Sequence, residues 1–207
     1  MTGFYERHVV PPLVHAVCSL PPIAAQRGRV VPQARGLVLE IGIGSGLNLT
    51  HYDARRVTRV IGVDPNPALL EHAGARAEGL VFGVDLVEGA AEALPLEAAN
   101  IDTALVTYTL CSVGDPMAAL AELRRVLKPG GSVLFCEHGR SPNPATARWQ
   151  DRLTPAWRRL SGGCHLKRDV ERELVQSGFA ITALETFKLP WTPGLIGFHY
   201  LGSARPR

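Results

Sequence analysis

The chain has 207 residues, of which 46% are hydrophobic and 20% charged, with a formal net charge of +3. That is length for one domain with an appendage and apolar content for a buried core, which excludes a disordered chain. The charge is too mild for an electrostatic nucleic-acid binder, and no apolar run reaches the ~20 residues of a spanning helix.

Residues 1–22 do not read as a signal peptide. Glu6, Arg7 and His8 come early, and the apolar run is broken by His15 and two Pro-Pro pairs. A cytoplasmic, reducing environment is the expectation. Cys18, Cys111, Cys136 and Cys164 form no C-x-x-C pair, so no zinc knuckle is expected. Residues 1–35 read as a cap segment ahead of the first strand.

Residues 37–41 are an apolar strand that runs into Gly42-Ile43-Gly44-Ser45-Gly46. Residues 59–63 are a second strand ending at Asp64-Pro65, followed by a helix over 67–77. A weaker strand falls at 80–84 and another at 101–107. Asp115-Pro116 opens the clearest helix, an N-cap acid followed by proline at the first turn. Leu120, Leu123, Val126 and Leu127 share its apolar face, and Lys128-Pro129-Gly130-Gly131 stops it. A strand over 132–136 follows, then a helix over 145–160 that Pro155 should break or kink. A helix over 168–177, stopped by Gly178, precedes strands at 179–187 and 196–201. Alternating strands and helices predict a mostly parallel sheet with helices on both faces. The final two strands, with no helix between them, predict an antiparallel edge pair. Ligands in such sheets bind outside the carboxyl ends of the strands.

The glycine loop has the spacing G-x-G-x-G. A dinucleotide loop needs a third glycine at position 47, which is Leu47, so a dehydrogenase is disfavoured. Glu40 stands just before the loop. Asp64 ends the second strand, where a carboxylate can accept both hydroxyls of a ribose. Val38-Leu39-Glu40-Ile41-Gly42-Ile43-Gly44-Ser45-Gly46 resembles the first motif of class I S-adenosylmethionine (SAM)-dependent methyltransferases. Gly89-Ala90-Ala91-Glu92 and Leu127-Lys128-Pro129-Gly130-Gly131 are similar to later motifs of that superfamily, in order. The resemblance implies a Rossmann-like α/β fold with a mostly parallel seven-stranded sheet and an antiparallel edge strand. It implies SAM as cofactor, S-adenosylhomocysteine as product and no metal. The cofactor residues it implies are Tyr5, Glu40, Gly42, Ile43, Gly44, Gly46, Asn48, Asp64, Pro65, Ala90, Ala91, Glu92, Thr107 and Leu110. Glu40 would offset the SAM ammonium or order water near it, and Pro65 would pack on adenine.

The fourth strand ends in Thr107-Tyr108-Thr109-Leu110-Cys111. It carries neither the D/N-P-P-Y clamp of amine methyltransferases nor the Pro-Cys nucleophile of cytosine enzymes, so a small-molecule or lipid-like acceptor is expected and nucleic acid is not. A narrower resemblance rests on Phe4-Tyr5-Glu6-Arg7-His8, Thr109-Leu110-Cys111-Ser112-Val113, Phe135-Cys136-Glu137-His138 and Gly163-Cys164-His165-Leu166. These look like the methyltransferase-like 7 family and its bacterial relatives, over most of the chain. That family implies alkyl thiol methylation. Its membrane-associated N-terminus is not carried over, because this N-terminus is short and punctuated by prolines. A broader resemblance reaches quinone C-methyltransferases and phosphatidylethanolamine N-methyltransferases.

In-line attack on the SAM methyl requires an acceptor held at roughly 3 Å. His138, His8 and His165 are the candidates for handling its proton, with capping or solvent-exposed roles as the alternative. Tyr108, Trp149, Trp157, Trp191 and Cys164 are candidates for the acceptor pocket, or else ordinary packing. Residues 145–173 hold seven basic residues against four acids. That segment is either a solvated helical face or a surface for anionic lipid or an acidic substrate, with peripheral membrane contact. Together with residues 140–166 as a lid-like insertion, the chain reads as one methyltransferase domain, monomeric or homodimeric. The alternatives are an N- or C-methyltransferase for a phospholipid headgroup or quinone precursor, and a non-catalytic SAM-binding module.

Overall fold

The computed structural model describes residues 10–190 and 192–207; Tyr5, His8 and Trp191 therefore lie outside the described residues. Seven strands make one sheet: β1 (Gly36–Ile41), β2 (Val57–Asp64), β3 (Gly83–Glu88), β4 (Ile101–Thr107), β5 (Leu127–His138), β6 (Phe179–Lys188) and β7 (Phe198–Pro206). Their order is β3-β2-β1-β4-β5-β7-β6. The first five pair in parallel, and β7 runs antiparallel between β5 and β6. Order reverses at β1: the chain first moves outward through β2 and β3, then returns to β4 on the other side. A crevice opens at such a switch point, outside the carboxyl ends of β1 and β4.

The β strands alternate their buried side chains between two cores. Leu39, Ile41, Val106 and Phe135 pack on one face with Leu120, Leu123 and Leu174. Val38, Val60, Leu105, Leu134 and Cys136 pack on the other with Val30 and Val31. Strands buried on both faces explain why β1 and β4 read as nearly continuous apolar runs.

Six α-helices flank the sheet in the described chain: α1 (Val10–Cys18), α2 (Pro21–Val30), α3 (Pro67–Ala77), α4 (Pro116–Val126), α5 (Pro144–Leu160) and α6 (Val170–Gln176). Four of them start on a side-chain cap. Asn66, Asp115, Asn143 and Asp169 each accept backbone N–H groups of the first turn. The expected bounds of α3 hold. Neither α1 nor α2 was expected, because the Pro-Pro pairs read as breaks. Pro11-Pro12 and Pro21-Pro22 instead occupy first turns, where a missing N–H costs nothing.

Two further expectations need correction. Pro155 does not break α5, which runs through it to Leu160. Both Pro155 and Asp151, whose carbonyl loses its partner, face solvent, so water can replace the lost bond. The third strand lies at Gly83–Glu88 and not at 80–84. Gly79 adopts φ +77°, and Val81 beyond it is 86% exposed, so that apolar pair belongs to a turn.

Candidate functional site

The glycine loop crosses the switch point. Gly42, Gly44 and Gly46 all have positive φ, and two of them are enforced by close neighbours. A side chain at Gly42 would collide with Thr109, and one at Gly46 with Leu49 and the Ala73 backbone of α3. Gly44 is different. At φ +55° its nearest neighbour would be the Gly42 carbonyl at 3.9 Å, so this glycine leaves open space at the carboxyl edge. That is a cradle a side chain would fill. Ile43 is buried and turns its side chain against Gly62, so only its backbone belongs to the loop surface.

Polar side chains fix the loop from below. Glu40, at the end of β1, is 1% exposed and accepts from Asn48 Nδ2 at 2.8 Å and from the Tyr52 hydroxyl at 2.7 Å. Burial pushes its carboxyl up to about 7, and the bonds from Tyr52 and Asn48 offset only part of that. Asn48 Nδ2 also donates to Thr107 Oγ1, and Arg27 Nη1 donates to both Asn48 Oδ1 (2.9 Å) and Thr107 Oγ1 (2.8 Å). A network thus joins β1, the loop, β4 and α2. Asp64 Oδ2 accepts the Gly44 N–H at 2.9 Å, and its Oδ1 accepts the Asn66 N–H at 2.9 Å. Burial raises the Asp64 pKa, against those two bonds. Each oxygen keeps a lone pair for a further donor.

Beyond β4 the chain turns sharply. Tyr108 has φ +56°, a strained conformation for a bulky residue and one that clusters at functional sites. Its ring lies between the Arg27 guanidinium, 5.1 Å from the centroid, and His199. Glu137, fully buried on β5, anchors the turn: its Oε1 accepts the N–H groups of Thr109 (2.6 Å) and Leu110 (3.1 Å). His138, the last residue of β5, meets Cys164 at 3.0 Å between Nε2 and Sγ. Burial opposes charge on His138, but the Cys164 contact and Glu137 outweigh it and its pKa is raised. Trp157 Nε1 donates to the same Sγ at 3.4 Å.

The structure therefore brings together Glu40, Gly42, Ile43, Gly44, Gly46, Asn48, Asp64 and Thr107, with exposed Pro65 beside Asp64. Tyr108, His138 and Cys164 gather on the β4–β5 side. Other expected site residues stand elsewhere. Ala91 and Leu110 are buried in the core, while Ala90 is exposed. Glu92 Oε1 accepts the Gly114 and Asp115 N–H groups, so it braces the loop before α4. Trp149 walls no pocket: it is 54% exposed, with Arg152 over its ring, because α5 buries Ala147, Gln150 and Thr154 instead. His165 is half-buried, and burial with Arg168, Arg158 and Lys167 pulls it down to about 4, which makes it a weak base. Sequence reading missed Arg27 and Glu137. Nothing local distinguishes Arg27 in its helix; Glu137 is an acid at the end of an otherwise apolar strand, and that was a usable signal.

Comparisons with known proteins agree with this fold. The family described as a methyltransferase domain matches residues 39–135. Thiol S-methyltransferase TMT1B of Rattus norvegicus is 34% identical over 173 residues, 81% of this chain and 69% of the relative. Thiol S-methyltransferase TMT1A of Homo sapiens is 31% identical over 177 residues, 84% of this chain and 72% of the relative. Among solved structures, a SAM-dependent methyltransferase from Thermotoga maritima, described as a possible histamine N-methyltransferase, superimposes with a TM-score of 0.66. It is 24% identical, covers 98% of both chains, and supports the fold. The chain belongs to the SAM-dependent methyltransferases, in the family that includes TMT1A and TMT1B.

Proposed function

We propose that this enzyme transfers the methyl group of SAM to the sulfur of a small thiol. The observation that carries the reading is the sequence shared with the thiol S-methyltransferases TMT1A and TMT1B over four-fifths of the chain. SAM, when bound, supplies an electrophilic methyl on a sulfonium. The open space at Gly44, the free lone pairs of Asp64 and the buried Arg27 fit such a cofactor. Asp64 accepts the ribose hydroxyls. Gly42, Gly44 and Gly46 let the backbone approach the amino-acid end, and Pro65 borders the adenine. Glu40 acts through Asn48 and Tyr52, not by direct contact. Arg27, whose Nε has no partner among the described residues, faces the negative end of the cofactor.

The acceptor enters on the Tyr108 and His138 side. In this reading the insertion 140–166 covers it and excludes water. A free thiol ionises near pH 8.5, so little proton-abstracting power is required and positioning contributes most. A thiol that ionises in this range can lose its proton to solvent, so the reading needs no histidine as base. The test is incubation of purified protein with SAM and a panel of alkyl and aryl thiols. S-adenosylhomocysteine should form with at least one of them; SAM binding without turnover across the panel would sink the reading.

A second reading has its own observation. The outer face of α5 exposes Trp149, Leu153 and Leu160 beside Arg148, Arg152 and Arg159. Apolar side chains flanked by arginines suit an anionic lipid surface, with a phospholipid headgroup or quinone precursor as acceptor. Co-sedimentation with anionic vesicles at low salt is the expected result. Protein left in the supernatant at low salt would remove this reading.

A further inference from the structure

The cysteines were read as carrying no metal site because none are paired in sequence. The fold pairs them. Cys111, in the turn after β4, His138, at the end of β5, and Cys164, in the loop after α5, bring their two Sγ atoms and an imidazole nitrogen within 4.8 Å of one another. We propose that these three residues form a Cys2His site for a thiophilic d10 cation of the Zn2+ class, with a fourth coordination position left for water or a ligand.

The geometry is close to what such an ion needs. With Zn–S near 2.3 Å and Zn–N near 2.0–2.1 Å, a tetrahedral ion holds its ligand atoms about 3.6–3.8 Å apart. Here His138 Nε2 and Cys164 Sγ stand at 3.0 Å and every other separation is under 4.8 Å, so shifts of an ångström or less would complete the set. Two soft sulfurs and one imidazole select zinc-like ions over Mg2+ or Ca2+. Two thiolates would balance a divalent charge, and their two protons would leave to solvent as the ion binds.

The surroundings hold the ligands in place. The His165 N–H donates to the Cys111 carbonyl at 2.7 Å, which ties the two cysteine-bearing loops together. Glu137 pins the turn that leads into Cys111. Trp157 Nε1 donates to Cys164 Sγ, an outer contact that favours the thiolate. Cys111 is 3% exposed, and His138 Nδ1 is buried with no partner among the described residues. Among the described residues, a metal would displace the His138–Cys164 contact and the long contacts of Cys111 Sγ to the Tyr108 carbonyl (3.6 Å) and the Ser112 hydroxyl (3.4 Å). The site stands on this geometry alone and not on the thiol-acceptor reading.

The test uses the full chain, reduced and stripped with a chelator, and titrated with Zn2+ or Cd2+ alone. Wild-type protein should take up one ion per chain, raise its unfolding temperature, and show thiolate-to-cadmium charge-transfer absorption. Cys111→Ala, Cys164→Ala and His138→Ala should each weaken binding by roughly 10–100-fold or more. Cys136→Ala, which alters a buried thiol outside the cluster, should bind as wild type does. If a variant fails to fold, X-ray absorption of the wild-type zinc form decides, with two sulfurs and at least one nitrogen expected. No uptake by wild type, uptake undiminished in all folded cluster variants, or a zinc shell without sulfur would each overturn the site. None of these outcomes bears on whether thiols are methylated.

Discussion

The two sides of the crevice between β1 and β4 are built on different plans. On the β1–β2 side, polar side chains are tied off by partners no more than 20 residues away: Glu40 by Asn48 and Tyr52, and Asp64 by Gly44 and Asn66. On the β4–β5 side the partners come from distant segments, and buried polar atoms stay unpaired. Glu137 Oε2 and His138 Nδ1 are both buried without a hydrogen bond among the described residues. Buried unpaired polar atoms are rare and call for an explanation. The difference teaches that the side proposed for SAM is a finished cradle, while the side proposed for the acceptor keeps polar capacity for something that arrives.

The sharpest way to break this comparison is Asp64→Ala. The ribose hydroxyls would lose a charged acceptor, and Gly44 would lose the bond that holds its N–H. SAM affinity should fall by roughly 2–4 kcal/mol, measured by calorimetric titration. Unchanged affinity would mean that the cradle is not where SAM sits. Asp64→Asn should fall between the two, because one oxygen acceptor survives.

The same contrast sets what was legible in the sequence. The β1 strand, the glycine loop, Asp64 and the Asp115 cap of α4 were readable, because each is a local pattern with a local physical cause. The mostly parallel pairing of the sheet followed from the alternation of strands with helices. The acceptor side was not readable. His138 and Cys164 were visible singly, but only the sheet register and the loop after α5 bring them together. Arg27 was hidden in a segment whose prolines read as helix breakers, although they occupy first turns. The offset of β3 has a similar origin: Leu80 and Val81 after Gly79 satisfy a strand pattern yet lie in a turn, with Val81 exposed.

Burial of Glu40 gives a smaller effect with a definite sign. Its carboxyl titrates near 4.5 when unfolded and is pushed up to about 7 in the fold, chiefly by burial. A raised acid binds its proton more tightly in the native state. Its contribution to stability is full below pH 4.5, declines as pH rises toward 7, and is flat above that. Glu173 shares this direction, whereas His165 and His199, both held down to about 4, pull the other way as pH falls. The difference between wild type and Glu40→Gln isolates one group. Denaturant unfolding should show that difference changing by up to about 3 kcal/mol between pH 4.5 and 7. A pH-independent difference would show that Glu40 is not the titrating group.

The smallest effect lies within α5, whose two faces repeat the contrast between finished and unfinished surfaces. Gln150 is fully buried and satisfied at both ends: Nε2 donates to the Gly139 and Leu195 carbonyls, and Oε1 accepts the Ser141 N–H. Gln150→Ala strands three backbone groups away from water, which should cost about 1–3 kcal/mol. Trp149, one position earlier, projects into solvent. Trp149→Ser should change stability by no more than about 0.5 kcal/mol and leave turnover of a soluble thiol unchanged. If α5 meets lipid, the same substitution should reduce co-sedimentation with anionic vesicles, because an aromatic side chain among arginines contributes most at the interface. A large loss of stability in Trp149→Ser would show that the ring is packed in solution. An unaltered vesicle affinity would show that the exposed face of α5 is an ordinary solvated surface.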